Sequence, residues 1–88
     1  FGALLRKALK IAVDEVHWIR EDLKMQVGEK RSYAVRIRYR QPLQRATLYQ
    51  MKDYLYIVFK EHQRGISAGQ FAVWYGEDGE MLGSGVIS

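Results

Sequence analysis

The chain has 88 residues, 48% hydrophobic and 27% charged, the composition of one small folded domain rather than of a disordered segment. It contains no cysteine, which excludes disulfides, thiolate metal sites and a cysteine nucleophile. The net charge of +4 is placed unevenly: from Lys30 to Lys60 eight cations meet only Asp53, so that stretch carries +7 and the remainder −3, and one basic side suits polyanionic partners.

No apolar run is long enough to cross a bilayer and no signal peptide is visible. The chain opens Phe1-Gly2-Ala3 without an initiator Met, which reads as a piece of a longer protein. From Leu4 to Leu23 two readings compete. Leu5, Ala8, Ala12, Val16, Ile19 and Leu23 recur at three and four, as on an amphipathic helix. The segments 10–13 and 15–19 are also rich in the β-branched and aromatic residues of short strands.

Gly28-Glu29-Lys30 is a polar break, after which Arg31 to Arg40 alternates as a strand. Tyr33, Val35, Ile37 and Tyr39 then point one way, and Arg36, Arg38 and Arg40 the other, as guanidinium groups about 7 Å apart. Such a row either laces a solvated face to nearby carboxylates or offers planar forks to phosphates. Gln41-Pro42 ends the strand, because proline donates nothing to a ladder and restricts the residue before it.

Ala46 to Met51 alternates again, and Lys52-Asp53 turns the chain into Tyr54 to Lys60. There Leu55, Ile57 and Phe59 share one face, and Tyr54, Tyr56 and Val58 the other. Gly65 and Gly69 bracket a loop before Gln70 to Tyr75, and Gly76-Glu77-Asp78-Gly79 is a hairpin turn. Met81 to Ile87 closes the chain, with Gly83 and Gly85 marking a bulge, a corner or a close backbone approach. Short strands at this spacing predict a small closed barrel.

Signals for catalysis are few. His17 and His62 have no ligand-spaced partner, and Glu77, Asp78 and Glu80 read as turn chemistry. Ser67 and Ser84 lack a companion histidine in any nucleophile motif, and the 79–85 segment lacks the context of a phosphate loop. No metal site and no catalytic residue is expected here. Of the aromatic residues, most are expected to fill the core, and Tyr54 and Tyr56, opposite Leu55 and Ile57, are the candidates for stacking on bases.

Four segments carry a resemblance. The stretch 35–41, Val-Arg-Ile-Arg-Tyr-Arg-Gln, resembles the K-x-R-Y-R-Q signature in the C-terminal domain of bacterial tRNA-specific 2-thiouridylases. Val16-His17-Trp18-Ile19 resembles that family's upstream (V/L)-(N/H)-W-(I/V), and the stretch 66–75 its A-(I/V)-x-P-G-Q-x-A-V-(F/W)-Y. The stretch 82–87 resembles its terminal L-G-G-G-x-I. Together they cover Val16 to Ile87 in the family's order. There are departures: Arg45-Ala46-Thr47-Leu48 stands where P-C-T-V is common, Met81 where a cysteine is common, Ala68 for proline and Ser84 for glycine.

The resemblance implies an all-β fold, a small six-stranded antiparallel β-barrel like the β-domains of translation elongation factors. It favours strand over helix for Ile11 to Ile19. The implied division is a trailing segment of a preceding domain at 1–9 and the C-terminal barrel at 10–88. It also implies a cytoplasmic parent enzyme that uses ATP to activate the wobble uridine of tRNA and a persulfide to deliver sulfur, with its nucleotide motif and working cysteines in preceding domains. The barrel itself is expected to hold no cofactor. Arg36, Arg38 and Arg40, helped by Lys30, Arg31 and Arg45, are the expected RNA-binding residues, acting on phosphates. The alternative is a scaffold that docks the catalytic domain or a sulfur-carrier partner, with a cysteine desulfurase reached through the parent.

Overall fold

A computed structural model describes residues 5–37, 42–64 and 66–88. Six strands, β1 (Leu5–Trp18), β2 (Lys30–Arg36), β3 (Gln44–Gln50), β4 (Tyr54–Arg64), β5 (Phe71–Tyr75) and β6 (Met81–Ile87), close into a barrel in the order β1-β4-β3-β2-β5-β6. Every pairing is antiparallel. Among the described residues one 3₁₀ turn, Glu21–Leu23, follows β1.

The N-terminal region is therefore strand, as the resemblance implied and against the helical period of its apolar residues. Ile11 sits opposite both Leu55 of β4 and Ile87 of β6, so β1 has a strand partner on each side there. The helical reading fails because a β-branched segment with partners on both sides gains more from ladder bonds and side-chain burial than from an amphipathic turn. β1 also runs through the boundary expected between residues 9 and 10: Leu9 is buried in the core and pairs with Ile57.

Inward positions follow the alternation. Leu55, Ile57 and Phe59 of β4, Ala46 and Leu48 of β3, Val35 of β2, and Ala72 and Trp74 of β5 are all buried, with Tyr33 and Ile37 packed against them. The two indoles, Trp18 and Trp74, meet edge to face at 5.4 Å. Trp74 fits because it lies opposite Gly83, where a Cβ would stand 2.8 Å from its ring and 2.8 Å from the His17 carbonyl. A Cβ at Gly85 would meet the Ile11 side chain at 2.7 Å. These glycines mark close approach, one of the roles the sequence left open. The indole N–H of Trp74 has no acceptor among the described residues, a cost that burial of the large ring offsets.

Tight turns supply the rest. The β3–β4 hairpin closes over Lys52 and Asp53 with Met51 N–H donating to the Tyr54 carbonyl at 2.9 Å. In the β5–β6 turn, Gly76 and Glu80 pair at 2.8 Å, and Gly79 takes φ +83°, a value L-residues rarely adopt.

Candidate nucleic-acid interface

Because side chains alternate, each strand that contributes to the core presents its other residues outward. Over the lengths at which β1, β4, β3 and β2 pair, those outward positions are Ala8, Lys10 and Ala12; Tyr54, Tyr56, Val58 and Lys60; Arg45, Thr47 and Tyr49; and Lys30, Ser32, Ala34 and Arg36. They include five cations and three tyrosines, and the bulge that shifts the β1–β4 register beyond Val58 leaves one carboxylate, Glu61, exposed beside Lys60. Asp14 continues the parity of β1 only beyond its last partner on β4, at the margin of this face. Ordinary surface strands interleave both signs. A four-strand face with a large excess of one sign sets up a potential that attracts polyanions.

Register decides which of these residues are neighbours. Lys10 stands opposite Tyr56, Tyr56 opposite Tyr49, and Tyr49 opposite Lys30. That makes one cross-strand row, Lys-Tyr-Tyr-Lys, spanning about 14 Å at the usual strand spacing. Ala8, Val58, Thr47 and Ser32 form the next row. Lys10 holds its ammonium 4.6 Å from the centre of the Tyr54 ring, and Tyr54 lies 6.0 Å from Tyr56 at a 51° tilt.

The expected RNA-binding residues separate on this scaffold. Lys30 and Arg45 are exposed on the outer face, with Lys30 opposite Tyr49 and Arg45 opposite Ala34. Arg36 is on that face too, but its guanidinium leans across to β5, donating to the Tyr75 hydroxyl at 3.2 Å and covering the ring at 5.3 Å. Arg31 has the opposite parity. It donates to the Leu23 carbonyl, to the Tyr33 hydroxyl at 3.3 Å and to Glu29 at 3.1 Å. Tyr33, most through its hydrogen bond, and Glu29 raise its pKa, and the bond to Leu23 ties the 3₁₀ turn to β2. Arg38 and Arg40 lie outside the described residues, as does the side chain of His62.

Lys10, Lys60 and Tyr49 do not stand out in the sequence as site residues. Strand parity alone places each of them outward, but the pairing of β1 with β4 is not written in any local pattern, and that pairing brings Lys10 to the tyrosines. Of the residues with chemistry to offer, His17 is exposed at the end of β1, and Ser84 lies opposite it on β6. Among the described residues no group of three His, Cys, Asp or Glu side chains could hold a metal ion, and no helix is long and apolar enough to cross a membrane.

Away from the basic face, Arg20 and Arg31 hold carboxylates. Arg20 bonds Asp22 at 2.8 Å and Glu80 at 2.7 Å, joining the 3₁₀ turn to the β5–β6 hairpin. Its hydrogen bond holds the Asp22 carboxyl below its ordinary pKa, and the Gln26 N–H, then Arg31, do the same for Glu29. The outward residues of β5 and β6 are Phe71, Val73, Tyr75, Met81, Ser84 and Val86, with no charge among them.

The sequence profile of the aminomethyltransferase β-barrel domain matches residues 8–87. The tRNA-specific 2-thiouridylase MnmA of Flavobacterium johnsoniae is 54% identical over 85 residues, which is 97% of this chain and 21% of that protein. The proteins of the same name from Christiangramia forsetii and Karelsulcia muelleri are 52% and 40% identical, with the same coverage of 97% and 21%. The chain thus spans about a fifth of the length of these relatives.

Proposed function

The chain belongs to the aminomethyltransferase β-barrel domain family, and on that premise we propose that it is the non-catalytic barrel of a tRNA 2-thiouridylase that holds tRNA. In this reading the parent protein spends ATP to activate the wobble uridine and places sulfur on it, using groups outside this chain. The barrel's part is electrostatic. Its residues neutralise phosphates and so fix the orientation of the substrate without reading its sequence.

The observation that carries the proposal is the outer face of β1, β4, β3 and β2, where five cations outnumber one exposed carboxylate, Glu61, over the paired lengths. Lys30, Arg45 and Lys60 are exposed there, and Arg36 stands on Tyr75 at its edge. Arg31 belongs to the barrel's own bonding and is left out of the phosphate set.

The test is binding of unmodified wobble-uridine tRNA across a salt series, wild type against a Lys30→Gln/Arg45→Gln/Lys60→Gln variant. Each phosphate contact contributes roughly 0.7–0.9 to the slope of log affinity on log salt, so the variant should flatten it by about two to three. An unchanged slope in a folded variant refutes the proposal.

A second reading, docking of the parent's catalytic domain or of a sulfur-carrier protein, is favoured by one feature. The β5–β6 face is uncharged, with Phe71 59% and Met81 43% exposed. Phe71 opens β5 and Met81 pairs with Tyr75 at its other end, so exposed apolar side chains stand at both ends of the strand pair, and such surface marks contact sites. Docking there is compatible with RNA on the basic face, and it predicts that Phe71→Ser alters assembly of the parent while leaving the tRNA salt slope unchanged.

A further inference from the structure

We infer that the Lys10-Tyr56-Tyr49-Lys30 row is a stacking platform for unpaired RNA nucleotides, a site distinct in chemistry from the phosphate contacts around it. The inference rests on the reading that this face meets RNA and adds which form of RNA it takes.

Tyr49 and Tyr56 are neighbours across β3 and β4, flanked on β1 and β2 by one ammonium each. Aromatic faces between cations are what a single strand needs: bases stack on the rings while the flanking charges meet the phosphates on either side. A duplex keeps its base faces covered by neighbouring pairs, so tyrosines offer it little. Tyr54 is already engaged, since Lys10 lies over its ring, and this contact holds the Lys10 ammonium beside Tyr56.

Next to Tyr56 the surface dips into a depression of about 210 Å³ lined by Ala8, Leu9, Lys10, Tyr56 and Ser88. That is smaller than the roughly 300–1,000 Å³ of a pocket for a drug-sized ligand and suits one planar ring. Ala8 and Leu9 give it apolar lining, Tyr56 an aromatic ring, and Lys10 and Ser88 polar groups. The Ser88 hydroxyl is fixed by accepting from the Ala12 N–H at 3.3 Å. A base entering here stacks on Tyr56 with its phosphate toward Lys10.

The experiment measures binding of a fluorescein-labelled single-stranded RNA octamer, and of the same octamer annealed to its complement, to this chain and to two variants. Tyr56→Leu keeps the bulk but removes the aromatic face; Tyr56→Phe keeps the face. We expect the single strand to bind more tightly than the duplex. Tyr56→Leu should weaken the single strand roughly 5- to 100-fold, as loss of one stacked base does, with its salt slope and the duplex affinity unchanged. Tyr56→Phe should bind as wild type. Circular dichroism on each variant guards against misfolding, which a half-exposed residue is not expected to cause. If the duplex binds as well as the single strand and Tyr56→Leu has no effect, the platform is refuted while the phosphate reading stands. If neither RNA binds at low salt, both fall together.

Discussion

Arg31 and Lys30 are adjacent in sequence, both cationic, and opposite in role. Lys30 is exposed on the outer face, and Arg31 is spent on Leu23, Tyr33 and Glu29. Arg31→Gln should therefore cost about 1–3 kcal/mol of stability, the worth of hydrogen bonds to a charged group, and leave the tRNA salt slope alone. Lys30→Gln should do the reverse, changing stability by less than about 0.5 kcal/mol and flattening the slope by about one unit. Urea melts and the salt series together separate the two. At Gly83 the issue is space: a methyl group would press on the His17 carbonyl and the Trp74 ring, each at 2.8 Å. Gly83→Ala should cost about 1–3 kcal/mol, as overpacking does, and an unchanged urea midpoint would show that β1 and β6 can part at no cost.

At the scale of elements, none of the residues of the 3₁₀ turn Glu21–Leu23 is fully buried; Leu23 packs against the core, and two arginines add to its hold on the barrel. Arg20 reaches Asp22 and Glu80, and Arg31 reaches the Leu23 carbonyl from β2. Asp22 and Glu29 both have pKa values depressed in the folded chain, by the Arg20 and the Gln26 hydrogen bonds respectively. A depressed carboxylate stabilises the fold above its unfolded pKa and loses that contribution as pH falls through the folded value. The melting temperature should thus be level from about pH 5 to 7 and fall below about pH 4, where free Asp and Glu begin to protonate. Asp22→Asn should melt slightly lower at neutral pH and show a shallower acid decline. Both carboxylates are exposed, so the effect is small and shrinks further in salt.

For the whole molecule, the division of surface is the organising feature. The basic, tyrosine-bearing face occupies β1, β4, β3 and β2, and the uncharged face occupies β5 and β6. The five cations of the basic face outnumber its one exposed carboxylate, Glu61, and repel one another across adjacent strands, and the core beneath must hold them together. Screening should relieve that repulsion, so thermal melts in 0.3 M KCl should lie above those in 0.03 M, the opposite of a fold stabilised by surface ion pairs. Added tRNA should raise the melting temperature at low salt and lose that effect as salt rises.

The alternation of Tyr33, Val35 and Ile37 with Arg36, and of Leu55, Ile57 and Phe59 with Tyr54 and Tyr56, separates inside from outside in the sequence by itself, because a strand's period of two is local. The Gly76–Gly79 turn is legible for the same reason, and four short segments identify the family across most of the chain. The parity of Arg31 is part of that alternation too, but its bonds to the Leu23 carbonyl, Tyr33 and Glu29 are not. Only the closed barrel decides which strands are neighbours. β1 with β4 and β2 with β5 pair across long stretches of chain, where burial and hydrogen bonding of the whole sheet choose the partner and no local pattern records it. That choice sets Lys10 beside Tyr56 and Arg36 against Tyr75, and so turns residues scattered along the chain into one face.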